Sequence, residues 1–242
     1  MKKYELTTDT KMVLGRKLFR IKALVSFGNV KIGDLGGYIE KEENLSQEGN
    51  AWVSGNAEVS GNAKVSGNTW VSCNAKVSGN TWVSGNAKVS GNAKVSGNAW
   101  VSGNTWVSGN AEVSGNAKVS GNAWVSGNAK VSGNAKVSGN AEVSGNAKVS
   151  GNTWVSGNSE VSGNAEVSGN ADYATAQGFG SVYRVTTFFR EKTGEVGVKC
   201  GCFYGTLAEF RKKVKETHGD SKKAKEYLML ADLMEYRFSD DE

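Results

Sequence analysis

Disulfide chemistry, histidine catalysis and membrane spanning are each poorly provided for in this chain. Cysteine occurs three times in 242 residues, too few for a disulfide framework, which points to a reducing compartment. Histidine occurs once, as His218, so any base-catalysed chemistry has a single imidazole to draw on. No run approaches eighteen consecutive apolar residues, so no helix is expected to span a bilayer. The opening MKKYELTTDTKM lacks the apolar stretch of a secretory leader, and a soluble cytoplasmic chain is expected. Net charge is +5, divided as +2 over residues 1–48, +2 over 49–172 and +1 over 173–242. That distribution is too even for a nucleic-acid footprint, and neither nucleic acid nor membrane is expected as a partner.

What is abundant is one hexapeptide, GNAxVS, repeated from Gly49 to Tyr173. Valine recurs at Val53, Val59 and every sixth residue to Val167, twenty times. Residues at a fixed interval share one environment only if the backbone returns to an equivalent position, so the segment is a solenoid unless it is disordered. Gly/Ser/Asn-rich mixtures often form flexible linkers, but a linker has no need for an aliphatic residue in strict register. Gly and Asn tolerate left-handed backbone angles, which predicts a corner at each Gly-Asn. Between corners, Ala or Thr and then Val point inward, and the variable residue between them points outward.

With these residues in place, the segment resembles the left-handed parallel β-helix built from hexapeptide repeats. The resemblance implies triangular coils of eighteen residues, the handedness, and the trimeric association common in that family. Twenty valines then make nearly seven coils, a rod roughly 30 Å long at strand spacing. The expected fold is mainly β: an N-terminal β cap with an irregular first coil (1–48), the solenoid (49–172) and a small C-terminal ββαα module (173–242). Burying each Val is worth about 1.5–3 kcal/mol, against about 1–2 kcal/mol to order each residue. Ladder hydrogen bonds and end caps must therefore contribute.

In the cap, KLFRIKALVSF (17–27) reads as a strand over the open end of the column. Val30, Ile32, Leu35, Ile39 and Leu45, interspersed with glycines, read as the first coil, with a two-residue phase shift before Val53. DLGGYIE followed by NLSQEGNAWV resembles the opening segment of YdcK-like hexapeptide-repeat proteins.

An eighteen-residue coil sorts the outward residues into three faces. One reads Trp52, Trp70, Lys88, Trp106, Trp124, Glu142, Glu160; the second Glu58, Lys76, Lys94, Glu112, Lys130, Lys148, Glu166; the third Lys64, Trp82, Trp100, Lys118, Lys136, Trp154, Asp172. All seven tryptophans avoid the second face. Exposed aromatic rows mark interaction surfaces, so Trp52, Trp70, Trp82, Trp100, Trp106, Trp124 and Trp154 are the candidate self-association residues of a homotrimer. The alternative is that Trp, Lys and Glu are interchangeable surface residues of a duplicated array. Outward residues 58, 70, 76, 94 and 100 do recur as the same types 54 positions later.

Hexapeptide-repeat acyltransferases use a histidine on a coil as general base, near a loop extruded from the solenoid. This array has no histidine and no insertion between Gly49 and Asp172, so no enzyme, cofactor or metal is expected. After Tyr173 the pattern changes. GSVYRVTTFFR (180–190) and VGVKCGCFYG (196–205) read as a hairpin. Thr206 and Glu209 form a capping box for a helix carrying Leu207, Phe210 and Val214, ended at His218-Gly219. Asp220 or Ser221 caps a second helix, whose buried face is Ala224, Tyr227, Leu228, Ala231 and Met234. Alternation is expected to bury Cys200 and Cys202 beside the helices.

This tail, with CGCFYGTL, EF and KETHGDSKKAKEYL, resembles a C-terminal segment of bacteriophage and prophage proteins. That segment has a contiguous Gly-Ser-Arg, whereas here Val182 and Tyr183 separate Ser181 from Arg184. Hydroxyls and cations on the hairpin suit a phosphate. Ser181, Tyr183, Arg184, Thr186, Lys199 and His218 are therefore the candidate ligand residues, with a small anionic ligand such as a host signalling nucleotide, or a host defence protein, as the partner. A purely structural or virion rod is the alternative reading, and an acyltransferase relic the third.

Overall fold

The computed structural model describes residues 2–180 and 184–239. Twenty two-residue rungs, β4 (Trp52–Val53) to β23 (Glu166–Val167), follow one another every six residues. Each rung pairs in parallel with the rung eighteen residues on, as Lys88 with Trp106 and Val89 with Val107. The rungs form three sheets: β4 to β22 (Glu160–Val161) in a seven-stranded sheet, β6 (Lys64–Val65) to β21 (Trp154–Val155) in a six-stranded sheet, and β5 (Glu58–Val59) to β23 within a ten-stranded sheet. The rod is thus a parallel β-solenoid of nearly seven coils, with the three faces composed as the sequence period dictates.

The side-chain alternation holds along the rod. In the central coils Ala or Thr and then Val are fully buried, while the residue between them faces out, as at Ala99, Trp100 and Val101. Thr69 and Thr153 replace inward Ala and turn their hydroxyls onto the carbonyls of Ser66 and Ser150 at 2.6 and 2.7 Å, which satisfies a polar atom inside an apolar column.

The corners depart from expectation in one respect. Every corner Gly from Gly49 to Gly163 has φ between +63° and +78°, but no Asn does. Gly, replaced at one corner by Cys73 at φ +60°, makes the left-handed turn, with the Ser carbonyl before it accepting from the Ala N–H after it, as Ala111 to Ser108 at 3.3 Å. Asn serves stacking instead. Its side-chain amide donates to the Asn oxygen one coil on, as Asn98 to Asn116 at 3.0 Å and Asn116 to Asn134 at 3.0 Å, and its backbone N–H donates to the next coil's Gly carbonyl, as Asn104 to Gly121 at 2.7 Å. The corners must also lie close together: a Cβ on Gly103 would fall 2.6 Å from the carbonyl oxygen of Gly121.

Two antiparallel strands, β1 (Tyr4–Val13) and β2 (Arg16–Ala23), close the N-terminal end. β2 ends at Ala23 rather than Phe27, and β1 lies in a stretch whose polar residues gave no strand signal. β2 pairs antiparallel with β3 (Leu35–Ile39), and β3 pairs in parallel with the rung β5 (Glu58–Val59). Ile39 opposes Val59 and Leu45 bridges to Val65, twenty residues apart instead of eighteen, which is the expected phase shift. Tyr4 is fully buried, and its hydroxyl donates to the carbonyls of Glu42 and Leu45 at 2.9 and 2.7 Å. Lys3 is 4% exposed; its Nζ donates to the Ala51 carbonyl at 2.9 Å and sits 4.9 Å from the Phe27 ring centroid. Burial lowers the Lys3 pKa to about 8, because a desolvated ammonium is disfavoured.

At the other end the module is a four-stranded antiparallel sheet with two helices. Its strands are β24 (Tyr173–Ala176), β25 (Thr186–Arg190), β26 (Val196–Cys200) and β27 (Phe203–Thr206). The expected hairpin therefore has two further strands. Gly201, at φ +60°, folds VGVKCGCFYG into two strands, and Tyr173 starts a strand where the repeat stops. Helices α1 (Leu207–His218) and α2 (Lys222–Phe238) follow. Thr206 Oγ1 accepts from Glu209 N at 3.2 Å while Thr206 N donates to Glu209 Oε2 at 2.8 Å, the expected capping box, and Ser221 caps α2.

Strand β25 joins the two cores. Phe189 belongs to the rod's column and plugs its end, while Phe188 belongs to the helix-covered core with Phe210, Tyr227 and Leu230.

Two expected outcomes follow from the corners and the cap. Gly103→Ala should lower the unfolding free energy by roughly 1–3 kcal/mol, whereas Cys73→Gly, which relieves a non-glycine residue at φ +60°, should raise it by about 1 kcal/mol; denaturant melts of both variants check this. For Lys3 the native pKa of about 8 lies below the unfolded value of 10.5. Between those values the unfolded chain holds the extra proton, so stability rises with pH across that window. The parent should gain stability relative to Lys3→Met between pH 8 and pH 10.5, and parallel profiles would contradict the buried ammonium.

Candidate interaction surfaces and terminal module

The three faces differ in how far their side chains satisfy one another. On the β5 to β23 face, Glu58 meets Lys76 at 3.3 Å, Glu112 meets both Lys94 and Lys130 at 3.5 Å, and Glu166 meets Lys148 at 3.5 Å. Exposed pairs of this kind contribute little stability, but they leave a face of balanced charge. On the β6 to β21 face, Trp82 and Trp100 meet edge to face at 5.7 Å between centroids. Lys64 and Lys118 cover the two rings at 5.3 and 5.5 Å, as a cation does over a π face. On the β4 to β22 face, Trp106 and Trp124 lie 5.0 Å apart with Lys88 over Trp106.

Trp82, Trp100, Trp106, Trp124 and Trp154 all remain exposed, Trp154 at 55%. Trp70 is half-buried. Trp52 is a correction: at 2% exposure it lies against Tyr4 and Phe27 beneath the cap, so it is a core residue and does not belong to the outer row. Asp172 also leaves its expected place. It lies in a 3-10 turn, Asn170–Asp172, not on a strand. Burial would raise its pKa, but hydrogen bonds from Ser168 Oγ and N, both at 2.8 Å, and from Gly169 N at 2.9 Å, together with Arg190, hold it below the usual carboxylate range. The carboxylate thereby ties down the last corner of the rod.

In the module, Ser181 and Tyr183 lie outside the described residues. Thr186 is buried, and its hydroxyl donates to Cys200 Sγ at 3.2 Å. Thr186 opposes Cys200 while Thr187 opposes Lys199, so successive residues face opposite sides of the sheet. Lys199 accordingly faces the rod, where Nζ donates to the Gly201 carbonyl at 2.6 Å and lies 3.6 Å from Glu160. Thr187 Oγ1 accepts from the Glu160 N–H at 3.0 Å on that same side. The sheet thus separates Thr186 from Lys199. Arg184 is exposed beside the Gly201 turn. His218, at the end of α1, stacks on Tyr227 at 5.9 Å and 26°. Tyr227 OH donates to the Phe179 carbonyl at 3.3 Å, and burial, reinforced by Cys200, raises its pKa to about 12.

Cys202 is exposed and Cys200 half-buried, so the expected burial of both fails: the turn at Gly201 breaks the alternation and carries Cys202 outward. Among the described residues no three His, Cys, Asp or Glu side chains are grouped to hold a metal ion, and no helix is long and apolar enough to cross a membrane.

Sequence reasoning missed the outer face of α2. Leu230, Ala231, Met234 and Phe238 are buried, but Met229, Leu233 and Tyr236 stand 71%, 54% and 82% exposed. The signal was present in LMLADLM, which holds more apolar residues than one buried helical stripe accommodates.

A family model of the YdcK β-solenoid repeat matches residues 87–103 and 93–109, within the central coils. No curated protein sequence matches the chain.

Proposed function

We propose that this chain is a non-catalytic binding rod that associates through its tryptophan-bearing faces and displays its C-terminal module at one end. The observation that carries the reading is the segregation of exposed tryptophans onto two faces while the third is occupied by paired charges. Surface aromatic rows of this size are depleted on monomeric surfaces and enriched at the centres of interfaces. Side-by-side association into a trimer follows from a triangular rod whose aromatic faces meet their counterparts. The phage-like tail supports a viral setting, in which a host protein is the natural guest of the displayed module.

A small anion at Arg184 is the second reading, favoured by an exposed guanidinium near the Tyr227 ring and the turn at Gly201. Charge-assisted contacts of this type are each worth about 1.5–3 kcal/mol. Calorimetric titration with a nucleotide panel tests it. Heat that disappears in Arg184→Ala supports anion binding, and no heat from the parent removes it.

For the principal reading, Trp106→Lys combined with Trp124→Lys should lower the particle mass measured by light scattering. Lys94→Glu with Lys130→Glu, on the charged face, should leave it unchanged. Equal masses for parent and both variants would reduce the tryptophans to surface residues of a monomeric rod.

A further inference from the structure

The β6 to β21 face stops one rung short of the other two. Where Asp172 would continue it, the chain turns through Asn170–Asp172, so the last rung of that face is β21. Along the face the backbone N–H of each outward residue donates to the next coil, as Trp100 to Ala117 at 2.9 Å. At Trp154 that rung is missing, and the Asn170 side-chain oxygen accepts the N–H instead, at 2.9 Å. The rest of Trp154 is also held. Its carbonyl accepts from the Tyr173 hydroxyl, and its indole Nε1 donates to Ser138 Oγ in the preceding coil at 3.0 Å. Lys136, also in the preceding coil, lies 5.7 Å from the ring centroid. Among the described residues Trp154 is the one tryptophan whose indole N–H is hydrogen-bonded within the chain.

This fixed ring belongs to neither tryptophan pair. Trp82 contacts Trp100 and Trp106 contacts Trp124, whereas Trp154 stands 55% exposed and makes no ring–ring contact among the described residues. It borders a cavity of about 300 Å³ at the junction of rod and module, lined also by Ser156, Asn170, Tyr173, Ala174 and Thr175. That volume is at the small end of ligand sites. No charged side chain lines the cavity, and its amide and hydroxyl groups offer both donors and acceptors without carrying charge. Because Asn170 Oδ1 is taken by the Trp154 N–H, the amide presents Nδ2 as a donor. Neither Asn170 Nδ2 nor the hydroxyl of the exposed Thr175 has a hydrogen-bond partner among the described residues.

We infer that this junction cavity is a binding site for a neutral saccharide, with one pyranose ring laid on the Trp154 indole and its hydroxyls bonded to Asn170 Nδ2 and the Thr175 hydroxyl. A pyranose has an apolar C–H face and a rim of neutral hydroxyls, which matches an aromatic platform edged by amide and hydroxyl groups. A nucleotide base would also stack, but its phosphate finds no cation in the lining, and an acidic sugar is disfavoured on the same ground. A wholly apolar ligand would cover the Asn170 donor without pairing it. The hydrogen bonds that fix Trp154 reduce the ordering cost of binding. The site does not depend on association of the rods, because Trp154 lies at the end of its face, apart from Trp106 and Trp124.

The test is saturation-transfer NMR on the full chain with methyl glucoside, methyl galactoside, N-acetylglucosamine, maltose, lactose and chitobiose, beside adenosine monophosphate and glucuronic acid as charged probes. A single ring in an open groove is expected to bind at about millimolar strength, which this measurement detects. At least one neutral sugar should receive saturation at its ring C–H protons, and a response from disaccharides alone would mark a glycan chain as the source. Trp154→Lys should abolish the transfer while leaving the circular dichroism spectrum unchanged, since Lys64, Lys118 and Lys136 hold the same register on this face. Thr175→Val, which removes one exposed hydroxyl at nearly constant shape, should weaken binding about fivefold. Trp106→Lys with Trp124→Lys should leave the transfer intact, and its loss there would place the sugar on the other face, contrary to the inference. No transfer to any neutral sugar from the parent, equal transfer from Trp154→Lys, or a response confined to the charged probes overturns it.

Discussion

A chain with this repeat must bring its backbone back to the same position after eighteen residues, and the rest of the molecule depends on the corner that allows it. A residue at φ near +70° turns the chain at each of three corners per coil, Gly everywhere but Cys73, and the absence of a Cβ lets successive Gly corners stack within reach of one another's carbonyls. With the corners fixed, the ladder hydrogen bonds, the Asn amide columns and the single-file Val interior follow. The backbone amides alone form a bond set repeated at every rung, so the polar backbone is satisfied without a thick core. The narrowness of the column makes its two ends costly, since an open end exposes both apolar residues and unpaired strand edges. At the N-terminus Tyr4, Ile21 and Trp52 close the column, and at the C-terminus Phe189 does so, with Asp172 fastening the last corner.

The regular part was legible because each hexad repeats the same physical instruction. Inward Ala and Val, the outward residue and the sorting into faces all follow from a period of six and the alternation of a strand. The role of Asn was not legible, because left-handed tolerance and amide stacking both favour Asn at a corner, and only the folded backbone distinguishes them. β1 was hidden by its composition: an edge strand over a cap carries Glu5, Asp9 and Lys11 outward and has one buried anchor, Tyr4. Lys3 was hidden for a related reason, since a lysine that caps carbonyls inside a closure looks in sequence like any exposed cation. Trp52 has the same register as the other tryptophans, and only the fold of the preceding fifty residues shows that it is covered.

In the module, the capping box and helical spacing fixed α1 and α2, but the strands depended on a turn at Gly201 within an otherwise continuous β-rich run. The candidate ligand residues suffered from that same turn and from the alternation of β25 and β26, which turn Thr186 toward the helices and Lys199 toward Glu160. Beside the charged face, the geometry leaves outward two tryptophan rows and the apolar stripe on α2.

Phase is the property on which this account rests, and deletion tests it most directly. Removing residues 103–120 takes out one whole coil and rejoins a Ser to a Gly in register; removing 103–111 takes out half a coil and shifts every later Val out of the column. Thermal unfolding followed by circular dichroism should show one cooperative transition near that of the parent for the eighteen-residue deletion and a loss of cooperative unfolding for the nine-residue deletion. Equal melting of the two would contradict an eighteen-residue coil as the unit that holds the rod together.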